Sequence, residues 1–402
     1  MSHTLSFLLL FVFGAAELHA DGLDASGGST TIKTEATGWF RIQKVQQRWF
    51  FITPEGHGYL PLGVNHLRSY FNGEGGRLRP VERDLVKAKH GGDAGAAAAH
   101  LEAMLRSWGF NYAGYDAPPS FRKRMPFSTG FIQTQTSAVH PGVKYVDVFA
   151  PEFATDLDQR VAAHCAPLRE NKLLLGHYLA DLPLWGDKAW MDAQESDKGE
   201  SWLSFFRKLS PGSPGGMVYA QHRDNEEALI PVIADQIYRL TAAAFQKHDP
   251  HHLVLGERYA GNRLHLPVIE AAAKHFPVIA VQLDGPFDAA LYEELHRRTG
   301  RPLISCDHVT AFPTAATPSV RGKPVKTEHE AAALYAAYLR EAFAEPYMLG
   351  YNRCQLMTRI RTDGDPPAWK QGLLAPDGEP YPTLLKAVTE TNRAVMQQVF
   401  MR

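Results

Sequence analysis

Two aspartates set the chemistry to consider. Asp181 stands where the apolar run 173–180 gives out, and Asp307 follows a second such run at 302–306. Runs of this length, apolar throughout, suit buried parallel strands. Pro183 has no N–H to give to a ladder, so the first strand must stop close to Asp181. A carboxylate at the point where a buried parallel strand ends is where barrel enzymes keep their reacting groups. Two of them facing each other across a cleft suit glycosidic bond cleavage. One, kept protonated, hands its proton to the leaving oxygen, while the other attacks the anomeric carbon or activates water. Taken alone, Asp181 could equally cap the next helix, and Glu257 is then the spare carboxylate.

Polar residues gather at the ends of the other apolar runs as well. Asn65, His66, Asp116, Glu257, Arg258, Gln282, Asp284, His308, Arg353 and Gln355 follow strand-length segments, and Asn111 lies within one. Each has a bland reading as a partner for backbone groups or as an ion-pair member. A ring of them at one face is costly to bury unless a polar ligand or a network satisfies it. These residues are therefore the expected substrate contacts, with Trp185 as a surface for a sugar ring. Tyr115, Tyr259, Trp190 and Trp202 are close enough in sequence to add to that surface. A metal-dependent hydrolase built on His66, Asp116, Asp307 and His308 is the competing enzyme class. No HxH or HExxH spacing supports it, and no cofactor is implied.

The elements that must hold these residues alternate. Strand-like runs near 59–64, 110–115, 127–133, 173–181, 252–256, 277–281, 302–306 and 347–351 are separated by helical stretches near 96–108, 151–170, 235–247 and 383–398. Eight strands alternating with helices predict an α/β chain folded as a (β/α)8 TIM barrel. An open doubly wound sheet is the alternative, but no GxGxxG or P-loop opens a helix. Residues 39–58 read as a short N-terminal hairpin under the barrel, 21–37 as a flexible lead, and 38–402 as one domain. The insertions 72–95 and 187–227 are expected to project over the mouth as loops, with 262–265 adding contacts from a third side.

Composition narrows the partner. The 402 residues carry a formal net charge of -1, with 45% hydrophobic and 21% charged residues, so no basic footprint for nucleic acid is present. Residues 5–16 are apolar but too few to span a bilayer, and Leu18-His19-Ala20 resembles a cleavage site. Residues 1–20 thus read as a signal peptide, with a secreted or periplasmic chain and no membrane partner after cleavage. Cys165, Cys306 and Cys354 make an odd count, and free buried thiols are expected.

Several segments, in order, carry a family likeness. They are Thr53-Pro54-Glu55-Gly56 leading to Leu62-Gly63-Val64-Asn65-His66, then Trp108-Gly109-Phe110-Asn111, and Gly176-His177-Tyr178 through Trp185. Asp249-Pro250-His251-His252 through Glu257-Arg258-Tyr259 follows, then Arg301-Pro302-Leu303-Ile304 to Asp307. Leu349-Gly350-Tyr351-Asn352-Arg353-Cys354-Gln355, Lys370-Gln371-Gly372-Leu373 and Asp377-Gly378-Glu379-Pro380-Tyr381 close the series. Together they resemble clan A glycoside hydrolases, and within that clan agarase-like proteins, over nearly the whole mature chain. The resemblance implies a polysaccharide or oligosaccharide of galactan type, an acid/base at the fourth strand and a nucleophile at the seventh.

The chain departs from that pattern at both places. Where the clan carries Asn-Glu it has Asp181-Leu182, and Asp307 replaces the expected Glu. Each Asp reaches roughly 1.5 Å less than Glu. A wider pair would favour an interposed water and inversion, or a silent barrel that binds glycans without cleaving them. The segments around Asp181 and Asp307 mark an atypical, Asp-based subgroup of the resemblance.

Overall fold

The protein is described by a computed structural model covering residues 22–71, 78–79, 85–139, 142–261, 264–361 and 367–401. The expected leader at 1–20 lies outside the described residues, as do Asn262, Arg263 and much of the 72–95 insertion.

Fourteen strands are present among the described residues. They are β1 (Ser29–Lys33), β2 (Arg41–Val45), β3 (Arg48–Ile52), β4 (His57–Tyr59), β5 (Leu62–Val64), β6 (Leu78–Arg79) and β7 (Phe127–Gly130). The rest are β8 (Leu174–Asp181), β9 (Leu253–Ala260), β10 (Ile279–Gln282), β11 (Leu303–His308), β12 (Met348–Arg353), β13 (Arg359–Arg361) and β14 (Ala368–Lys370). Seven of them form one parallel sheet in the order β5-β12-β11-β10-β9-β8-β7. Every residue of β11 and β12 is buried, and all of β8 but its last residue, which is why these strands read as unbroken apolar runs. Helices Pro151–Cys165, Glu226–His248, Leu266–His275, Ala289–Thr299 and Glu328–Ala344 make the crossovers between successive strands and cover the outer face. Glu226–His248, at 23 residues, is long and apolar enough to cross a membrane, but it is half buried against this sheet.

The sheet curls, and its two edges approach a common segment. In residues 111–115, Asn111 N–H donates to Leu62 O (3.1 Å) and Ala113 N–H to Pro126 O (2.8 Å). Gly114 O accepts from Ser128 N–H (2.8 Å), and Tyr112 forms a parallel bridge with Gly63. The segment is thus hydrogen-bonded to β5 on one side and to the start of β7 on the other.

The concave face is filled from below. Phe40, just ahead of β2, and Phe51 and Tyr59 of β3 and β4 pack with Leu175, Tyr178, Leu255, Ile304, Cys306 and Leu349 of the curled sheet and with Val278 just ahead of β10. The expected hairpin is in fact a four-stranded antiparallel sheet, ordered β1-β4-β3-β2. The lead expected to be flexible supplies β1. Asp24 ties it down by accepting from Gly28 N–H (2.7 Å), Thr53 Oγ1 and His57 Nδ1 (2.8 Å). The 187–227 insertion also differs from the expected loop. It forms helices Lys188–Lys198, Trp202–Arg207 and Pro214–His222, clamped where Arg207 pairs with Asp192, Glu195 and Glu226.

Candidate active site

Strict alternation along a strand would not turn Asp181 and Asp307 toward the same space, and irregularities in the ladders do so instead. Between Tyr178 and Asp181, β8 carries one residue more than the facing Gly256–Arg258 stretch of β9. Between Ser305 and His308, β11 carries one residue more than β12 does between Tyr351 and Arg353. An inserted residue bends the strand and resets which face its neighbours point to. Backbone strain marks the same places. Among the described residues five non-glycine residues have positive φ, and four of them, His66, Asp116, Leu182 and Asp307 (φ 59, 64, 50 and 51), lie at strand ends around this space. Each such conformation costs on the order of 1–3 kcal/mol, and such residues cluster where function rather than stability selects the backbone.

The result is a charged knot centred on Arg258. Its Nη1 lies 2.7 Å from Asp307 Oδ2 and its Nη2 lies 3.3 Å from Asp181 Oδ2. Both contacts run through one guanidinium, so the nearer carboxylate oxygens are no more than roughly 8 Å apart. Asn65 donates to the other oxygen of Asp307, and Gln282 donates to the other oxygen of Asp181. The Arg258 guanidinium also lies over the Tyr115 ring, 3.7 Å from its centroid, and Tyr115 OH meets His66 Nε2 at 2.7 Å. Burial opposes charge on Asp307, but Arg258, His66, Lys370 and Asn65 together outweigh it, and the carboxyl is held below its ordinary range. Lys370 is half-buried; Cys354 and Asp307 offset the cost of its desolvation and keep its ammonium charged.

Of the residues expected here, Asn65, His66, Asp116, Asp181, Arg258, Gln282 and Asp307 come together. Asp181 does not cap a helix; Asp187 does that, accepting from Trp190 N–H. Asp284 stands at the rim, accepting from Val309 N–H at 3.2 Å, with its carboxyl raised by the protein packed around it.

Other expected contacts are turned elsewhere, each for a visible reason. Asn111 bridges Leu62 N–H and Leu60 O, so its amide serves the backbone. Glu257 alternates with Arg258 and points outward, where it accepts from Trp185 Nε1 (2.8 Å), Tyr238 OH (2.6 Å) and Gln133. Trp185 is 2% exposed and stacked on Trp202, because residues 182–184 pair with 136–138 and carry it into the helix layer. His308 is buried between Tyr351 OH and Gly285 O, its pKa pushed down to about 3 by burial. Arg353 spends its guanidinium on Thr310, and Gln355 donates to Met357 O and Lys370 O. Sequence reasoning missed Lys370 and Cys354 as neighbours of Asp307. Both follow the eighth strand-like run, where only the loop geometry returns them to the mouth.

His66, Asp307 and Cys354 place potential metal-ligand atoms within 4.8 Å of one another. The Arg258 and Lys370 cations beside Asp307 oppose a dication there. Cys165, His177 and Asp249 form a second such group, on the outer face of β8. There His177 lies between His164 and Asp249, and Asp249 also holds His252, so the chain of partners is complete within the protein.

No family model and no curated protein matches the chain. Solved structures do. The agarase AgWH50C is similar with a TM-score of 0.77 at 18% identity, over 94% of this chain and 67% of that one. An exo-beta-agarase gives 0.76 at 16% identity, over 94% and 68%. BpGH50 gives 0.72 at 17% identity, over 94% and 86%. At these identities the likeness is one of architecture, and this chain shares the fold of those structures, two of which are agarases.

Proposed function

We propose that the chain is a glycoside hydrolase of agarase-like type, acting on a polysaccharide or oligosaccharide of galactan type with Asp181 and Asp307 as its reacting carboxylates. The observation that carries this is the placing of both carboxylates in one space, tied to a single guanidinium. A ceiling of roughly 8 Å on their nearer oxygens admits both the close pair of retaining enzymes and the wider pair of inverting ones. Asp307, held ionised, suits the nucleophile or base. Asp181, with the longer contact to Arg258 and the greater exposure, suits the proton donor. The segment 111–115 is read as the eighth strand that closes the ring, giving a (β/α)8 barrel of the clan A kind with an atypical Asp-based site. The fold shared with agarases supports the substrate class. Residues 1–20 are read as an export signal, which N-terminal sequencing of the mature chain would test.

A second reading has its own observation. Arg258 pairs with both carboxylates at once and so favours two anions, whereas hydrolysis requires one of them to bring a proton. A barrel that binds glycans without cleaving them fits that arrangement. Assays on agar, porphyran and carrageenan separate the two. The hydrolase reading expects turnover that Asp181→Asn and Asp307→Asn each reduce by 10²-fold or more, with glycan binding retained in at least one variant. Binding without turnover in the unaltered chain selects the second reading.

A further inference from the structure

A pocket of about 480 Å³ opens beside the carboxylates rather than over them. Arg68, Tyr115, Asp116, Arg122, Thr129 and His164 are among its lining residues, whereas Asp181, Arg258 and Asp307 are not. Tyr115 and Asp116 connect the two places, for Tyr115 carries Arg258 on its ring and Asp116 lies 3.7 Å from His66 Nδ1.

The charges in this pocket do not cancel. Arg68 Nε donates to Asp116 Oδ1 at 2.8 Å, which accounts for the carboxylate. Arg122 Nε donates to Ala117 O at 3.0 Å, and its guanidinium lies 5.7 Å from the centroid of the Phe127 ring. Its two terminal nitrogens meet no acceptor among the described residues. Burial lowers the Arg122 pKa, and repulsion from Arg68 lowers it further. His164, driven down to about 4 chiefly by burial, adds no charge at neutral pH. Among the described residues, two guanidiniums facing one carboxylate leave one positive charge in excess. The terminal nitrogens of half-buried Arg122 are not sealed from solvent, so they stand open to a ligand, and guanidinium N–H pairs match planar or tetrahedral oxyanions. The remaining wall, which includes Gly130, Ala163, Pro167 and Leu168, is small and apolar, a surface suited to the body of a sugar ring.

We infer that Arg122 and Arg68 form an anion subsite next to the mouth, and that the ligand is a saccharide bearing one singly charged group, a sulfate ester or a uronate carboxylate. This rests on the glycan reading above and narrows it to anionic glycans. The excess of one positive charge points to a monoanion rather than a phosphate dianion.

The test is calorimetric titration of the full chain with three probes. They are a sulfated galactan oligosaccharide, a galacturonate oligosaccharide, and the desulfated form of the first; inorganic sulfate is a fourth, separate arm. At least one anionic oligosaccharide is expected to bind tenfold or more tightly than the desulfated one. Which of the two does so distinguishes sulfate ester from carboxylate. Arg122→Gln is expected to remove that tenfold advantage, and Arg122→Lys, which keeps the charge, to restore part of it. Unchanged far-UV circular dichroism and thermal midpoint check that both variants fold. Equal binding of charged and desulfated ligands, or an advantage that survives Arg122→Gln, overturns the subsite and leaves the glycan reading standing. Binding of inorganic sulfate but of no saccharide overturns both, since it shows a pocket for a simple ion only.

Discussion

Glu257 shows how adjacent residues on one strand take opposite fates. Arg258 faces the mouth, while Glu257 is sealed in the helix layer, where its partners among the described residues are neutral. Burial pushes its pKa up to about 7, although hydrogen bonds from Tyr238, Trp185 and Gln133 pull the other way. A carboxyl whose folded pKa exceeds its unfolded value stabilises the fold fully below about pH 4.5, and that contribution is lost as pH rises through about 7. The shift corresponds to a decline of about 3 kcal/mol across that window. Urea melts at pH 4.5 and pH 8 should show this decline relative to Glu257→Gln, which cannot ionise; parallel pH profiles for the two proteins would refute it. Arg258 permits a second expectation. Replacing it with Leu takes from buried Asp307 its nearest cation, leaving Asn65, His66 and Lys370 to support the charge, and should cost up to about 3–5 kcal/mol. The unaltered protein loses the stability of this depressed carboxyl as pH falls below about 4 through the folded value, and protonation relieves the exposed charge in the variant, so the penalty should be larger at pH 7 than at pH 3. Denaturant midpoints at pH 7 and at pH 3 check it.

At the level of elements, the crossing of 111–115 between β5 and β7 governs the site. Gly114 has φ +57, and a Cβ there would strike the Asn65 side-chain oxygen and come within 2.8 Å of Val64 O. Asn65 is the residue that donates to Asp307. Gly114→Ala should therefore cost about 1–3 kcal/mol and weaken ligand binding together with stability. Thermal unfolding and titration on the same sample would show whether both change. The sequence made much of this level legible. The runs ending at Asp181 and Asp307 announce buried parallel strands because helices and the N-terminal sheet leave them no wet face. The extra residues in β8 and β11 were not legible. An inserted residue changes no composition, yet it decides whether an aspartate faces the mouth or the helices. Trp185 illustrates the same blindness, since four residues after Asp181 the chain has already doubled back along 136–138. Asn111 looked like a ligand contact because a strand-end amide and a backbone-satisfying amide are the same residue in the same place.

At the scale of the whole molecule, stability rests on two apolar cores, one between sheet and helices and one inside the curled sheet, without covalent ties among the described residues. Cys165, Cys306 and Cys354 are all buried and free. Burial raises the Cys165 and Cys306 thiols to about 12, which leaves almost no reactive thiolate at neutral pH. The thermal midpoint should be the same with and without reductant, and calorimetry in both buffers checks this. The N-terminal strands join the rest of the chain at more than one point. Phe50 stacks on Phe400 of the closing helix Pro382–Phe400, and Trp39 stacks on His251 ahead of β9. Phe40, Phe51 and Tyr59 thereby stopper the curled sheet from beneath. Such a molecule is a cup and not a pipe. A long polymer cannot be threaded through it, and whatever settles at the rim has to back out by the same door before the next can take its place.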